Sequence, residues 1–138
     1  MDISKNTLDE LMALDEQEVE FIVYQKDGEP YLAPDGETPC TITVVGEESK
    51  RVRDAETANQ RRMLHQRKVR LEPADILYNR IYKAAAAVTR WSGWTAGDTP
   101  AECTQENVRG LMRVPHILKQ VEENVSGHAD FFKQPSES

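Results

Sequence analysis

The chain has 138 residues, of which 38% are hydrophobic and 30% charged, with a formal net charge of −7. That length suits one globular domain with one modest core. No stretch approaches the ~18 uninterrupted apolar residues of a membrane span, and two cysteines 63 positions apart, Cys40 and Cys103, offer no CxxC and read as free thiols.

The charge is unevenly placed. Residues 1–48 carry 13 acidic against 2 basic side chains, residues 49–70 carry 8 basic against 2 acidic, and the remainder is near balance. Opposed acidic and basic faces steer association and permit self-association. The acidic opening "MDISKNTLDELMALDEQEVE" has no apolar run, so it is neither a secretory signal nor a transit peptide, and a cytosolic location is expected.

Thr7, with Glu10 three residues later, predicts the start of a short helix through "LDELMAL". "VEFIVY" (Val19 to Tyr24) predicts a strand. A connection with two Asp-Gly pairs follows, and "CTITVVG" (Cys40 to Gly46) predicts a second strand, antiparallel to the first. Two strands alone are marginal in water, so the ribbon must lie on helices or be extended.

From about Glu47 the pattern becomes a mostly polar helix whose apolar points are Val52, Ala55, Met63, Leu64 and Val69. Pro73 opens a stronger one. Ile76, Leu77, Ile81, Ala84, Ala85 and Val88 recur at helical spacing and predict a central core helix ending near Trp91–Gly93. Thr104 then caps a short helix with Val108, Leu111 and Met112 as buried points. Pro115 opens another, with Ile117, Leu118, Val121 and Val125 on one face and Gly127 as its stop. Phe131 and Phe132 are expected to dock on the body. The resulting fold class is mainly α with a small N-terminal antiparallel β-ribbon (α+β). It is one compact helical domain over 1–138, with an acidic ribbon segment at 1–46, a helical body at 47–133 and a disordered tail at 134–138.

Chemistry has little to work with. His65, His116 and His128 show no ligand spacing with one another or with the cysteines, so no metal is expected, and His116 is expected to be exposed in the first turn of its helix. Cys103 lies before a helix N-terminus, where a thiolate is favoured, but a single Cys with a His thirteen residues later, His116, is a common coincidence and no nucleophile elbow supports it. "SGWTAGDTP" lacks a phosphate-loop pattern. The reading is therefore no enzyme and no cofactor. Lys50–Arg70 is basic enough to neutralise phosphates, through residues such as Arg51, Arg53, Arg61 and Arg62. Asp54 and Glu56 interrupt it and no aromatic platform accompanies it, so those arginines are read as electrostatic contacts to protein and nucleic acid as unlikely. Trp91 and Trp94 are the clearest interaction signal, since tryptophan is enriched both in buried joints and in binding hot spots.

The segments "ITVVGEESKRVRDAE", "AAAAVTRWSGW", "CTQENVRGLMRVPHILKQVEENV" and "FFK" resemble, in content and order, the small tail assembly chaperones of long, flexible-tailed bacteriophages. The resemblance spans about Thr41 to Lys133 and rests on pattern rather than on a catalytic motif. It implies a non-enzymatic assembly factor in the host cytoplasm that binds the tape-measure protein and helps recruit tail-tube subunits. The partner-facing candidates are Trp91, Trp94, Leu111, Met112, Ile117, Leu118, Phe131 and Phe132, several of which must also serve the core. A structural virion component, such as a head–tail joining or tail-terminator subunit, is the alternative, and a small nucleic-acid-binding regulator is a third reading.

Overall fold

A computed structural model describes residues 3–67 and 70–128 of the chain. The opening helix α1 covers Lys5–Leu14 and the first strand β1 covers Val19–Ile22. The helix starts a turn earlier than Thr7 because Ser4 takes the N-cap position, in extended backbone. After two Asp-Gly turns comes β2, Thr41–Val44, antiparallel to β1 with Phe21 opposite Ile42. The sequence places these two strands correctly, as a ribbon shorter by a residue or two at its ends.

Two long helices then form a hairpin. The first, α2, spans Lys50–His65 behind Ser49, whose hydroxyl accepts from the Val52 amide at 3.4 Å. The second, α3, spans Pro73–Ala87. It opens with Pro73 in its first turn, and the Asp75 carboxylate accepts from the Glu72 amide at 3.1 Å.

The predicted end of α3 near Trp91–Gly93 is corrected. The helix stops at Ala87, and Val88–Ser92 is a strand, β3, antiparallel to β2. The ribbon thus becomes a three-stranded sheet in the order β1-β2-β3. Val88, Thr89 and Trp91 are β-formers, and β2 offers an unpaired edge, so pairing wins over helix continuation. A small hairpin follows, β4 (Thr95–Ala96) and β5 (Thr99–Pro100). Two helices close the described chain, α4 (Gln105–Met112) and α5 (Pro115–Ser126). Both begin where their sequence signals put them: Thr104 accepts from the Asn107 amide at 3.2 Å, and Pro115 sits in the first turn of α5.

The core is one cluster shared by the sheet and the helices. Val23, Ile42 and Val44 meet Val52 of α2, Ala84, Ala85 and Ala87 of α3, Val108 and Met112 of α4, and Ile117, Leu118 and Val121 of α5. The alanine run lets backbones approach closely. Only the C-terminal half of α3 joins this core, however. Ile76 and Leu77, expected as part of its buried stripe, are exposed together with Tyr78, because α2 is the helix that flanks the first half of α3 and it offers few apolar side chains there. Among the described residues no helix is long and apolar enough to cross a membrane.

Candidate functional site

The aromatic corner is built by the turn after β3. Trp91 stands opposite Ile42 in the register, and Gly93 turns the chain at φ +91°, a conformation costly for any residue with a side chain. A Cβ on Gly93 would also lie 2.9 Å from Cys40 Sγ, so the turn closes directly against β2. This brings Trp94 back over Trp91, with ring centroids 6.2 Å apart at 45°.

Both indole N–H groups are committed to backbone. Trp91 Nε1 donates to the Ala101 carbonyl at 2.8 Å and Trp94 Nε1 to the Thr41 carbonyl at 3.1 Å. Tyr31 continues the aromatic group, 5.6 Å from Trp94 and stacked on His116 at 5.9 Å. Its hydroxyl shares a 2.5 Å hydrogen bond with His116 Nε2. His116 is thus half-buried in a ring stack rather than exposed, contrary to its reading from sequence.

Trp91 and Trp94 remain half-exposed, and with Ala101, Asn107 and Leu111 they line an open groove of about 220 Å³. That is smaller than the ~300–1,000 Å³ of small-molecule pockets and suits the anchoring side chain of a protein partner. Three of the residues picked from sequence as partner-facing therefore converge. Three others do not: Met112, Ile117 and Leu118 are 0%, 2% and 2% exposed, pointing into the core from the inner faces of α4 and α5, and cannot touch a partner in the folded chain. Phe131 and Phe132 lie outside the described residues.

The four arginines proposed as an electrostatic surface do not share a face. Arg51 donates to the Val88 carbonyl at 3.2 Å and ties α2 to the sheet. Arg62 donates to Asn59 Oδ1 at 2.8 Å and to Asn79 Oδ1, and its guanidinium lies 4.2 Å from the Tyr78 ring centroid, binding α2 to α3. Arg53 borders a hollow beside Asp9 and Asp15 of the N-terminal segment, and Arg61 is exposed. The basic run is consequently split between structural and solvent-facing duties.

Among the described residues no group of three or more His, Cys, Asp and Glu side chains could hold a metal ion. Burial pushes the thiols of Cys40 and Cys103 up from the usual range, with Arg51 partly opposing the effect at Cys103. Such thiols carry little thiolate at neutral pH, which is the opposite of an activated nucleophile.

Sequence reasoning missed an exposed apolar surface. Leu64, Leu71, Ile76, Leu77 and Tyr78 gather at the far end of the α2–α3 hairpin, with Leu64 77% exposed. The available signal was an imbalance: α3 carries a full apolar stripe, while α2 supplies five apolar points along its length. Comparison of the chain with protein-family models, curated proteins and solved structures finds no match.

Proposed function

We propose that the protein is a non-enzymatic assembly chaperone of a long, flexible-tailed bacteriophage. In this reading it binds a helical segment of the tape-measure protein in the host cytoplasm and helps bring tail-tube subunits to it. The observation that carries the reading is the groove in which Trp91, Trp94 and Leu111 meet. Its walls are mostly apolar, with Thr95 and Asn107 at the side, its two indole N–H groups are already satisfied, and its size matches an apolar side chain presented by a client helix. With both indoles rigidly tethered, little side-chain entropy is lost when the groove fills.

Co-expression with the tape-measure protein followed by pull-down tests the proposal. Wild type should retain the client, and the double variant Trp94→Ala, Leu111→Ala should release it while remaining folded. A folded wild-type chain that captures no tape-measure protein sinks the reading. Recovery of the chain from purified virions would instead make it a structural component.

A further inference from the structure

We infer that the segment seated in the groove of Trp91, Trp94 and Leu111 is a basic one: a helix with an apolar anchor side chain and Lys or Arg at the positions around it. This rests on the reading of that groove as the client site, and adds the chemical class of what fills it.

The seat itself is uncharged. None of the residues lining the groove is ionisable, and its one carboxamide is committed, since Asn107 Nδ2 donates to the Glu102 carbonyl at 2.9 Å. The charge lies at the rim. Between Arg90 and Arg109 the chain carries three acidic side chains, Asp98, Glu102 and Glu106, and no basic one. Each stands within two residues of the groove wall: Asp98 in the turn joining Ala96 of β4 to Thr99 of β5, Glu102 next to Ala101, and Glu106 next to Asn107. Two residues span at most about 7 Å of chain, inside the ~8 Å over which exposed charges act at physiological salt. All three carboxylates are exposed, and none makes an ion pair or a side-chain hydrogen bond among the described residues.

The basic residues that border this stretch are drawn elsewhere. Arg90 pairs with Glu18 at 2.5 Å, and Arg51, within electrostatic reach of Cys103, donates to the Val88 carbonyl. Arg109 lies 5.6 Å from the Tyr82 ring centroid on α3. Arg109 and Arg113 each stand two positions from Leu111, roughly 160° around α4 from it. The negative field at the rim is therefore unopposed. A helix that places an apolar side chain in the seat brings its i±3 and i±4 neighbours to that rim. Lys or Arg there is attracted and steered in, whereas Asp or Glu is repelled.

Fluorescence anisotropy with two labelled helical peptides of about 18 residues tests the inference on the full chain. Both carry the same central leucine, with Lys at its i±3 and i±4 positions in one and Glu in the other. Wild type should bind the Lys peptide about tenfold tighter, and the margin should shrink as salt is raised. In the triple variant Asp98→Asn, Glu102→Gln, Glu106→Gln the two peptides should bind about equally. Its far-UV circular dichroism should match wild type, because all three side chains are exposed. Trp94→Ala with Leu111→Ala should lose the Lys peptide. Equal binding of both peptides by wild type, or a preference for Lys that survives in the triple variant, overturns the inference and leaves the groove as the client site. A wild type that binds neither peptide, or binding that Trp94→Ala with Leu111→Ala leaves intact, overturns the groove reading and this inference together.

Discussion

Gln120 treats Tyr24 as a neighbouring strand would. Its amide oxygen accepts from the Tyr24 amide at 2.8 Å, and its Nε2 donates to the Tyr24 carbonyl at 2.8 Å and to the His116 carbonyl at 2.9 Å. One side chain of α5 thereby satisfies both backbone groups of Tyr24, two residues beyond β1, where the chain makes an isolated antiparallel bridge to Pro30. Replacing Gln120 by Ala should cost about 1 kcal/mol, a modest figure because water reaches Tyr24 once the amide is gone. Gln120→Glu should fall between Ala and wild type, keeping the acceptor and losing the donor. Urea unfolding midpoints of the three chains check the order.

Gly93→Ala should destabilise by about 1–3 kcal/mol. The substitution meets both a φ of +91° and a contact of 2.9 Å with Cys40 Sγ. Adding Cys40→Ala should recover part of the loss by removing the Sγ contact, leaving the backbone strain and the 3.2 Å approach to Cys40 Cα. Thermal melts of the single and double variants separate the two causes, and equal melting of Gly93→Ala and wild type would refute the account.

Leu118→Ala should cost about 2–5 kcal/mol, since it empties a fully buried position. Leu77→Ala, at an exposed site on α3, should change stability by less than about 0.5 kcal/mol. Chemical denaturation distinguishes them. A small effect at Leu118 would mean that the inner face of α5 is not the core face described above.

Both cysteines should react slowly with a thiol reagent such as iodoacetamide near neutral pH, because burial raises their pKa values. Unfolding in urea should accelerate both. A rapidly labelled Cys103 in the native chain would reopen the question of a nucleophile at the start of α4.

Asp35 organises the second Asp-Gly turn. Its carboxylate accepts from the Thr38 hydroxyl at 2.5 Å and from the Thr38 and Glu37 amides at 2.9 Å each. These bonds, the Thr38 hydroxyl first, lower its pKa to about 2 from 3.8. The folded-state value is depressed, so the contribution to stability is complete above about 3.8 and is lost as pH falls through about 2. A carboxyl NMR titration should show a midpoint near 2 for Asp35 in the wild type, moving toward 3.8 in Thr38→Val.

Much of the architecture could be read locally. Thr104, Pro73 and Pro115 announce helix starts through their own hydrogen-bonding and φ preferences, which need no distant partner. The strands around Phe21 and Ile42 declare themselves by β-branched content. The segment Val88–Ser92 did not, because it continues a helical apolar stripe for a few residues and only the free edge of β2 decides its fate. The candidate site divides in the same way: two tryptophans are visible as residues of interest, but their meeting with Leu111 depends on the Gly93 turn and on where α4 packs.

By itself, then, the amino-acid order determined the punctuation of the helices, the two strands of the ribbon, and the acid-then-basic division of charge. All of these arise from interactions within a few residues or from composition. Tertiary structure decided which apolar residues are core and which are surface. Met112, Ile117 and Leu118 turn inward while Leu64, Ile76 and Leu77 stay in solvent, although all six sit on helical stripes of similar character. Periodicity tells a helix which face is apolar, but only the neighbouring elements determine how much of that face is covered.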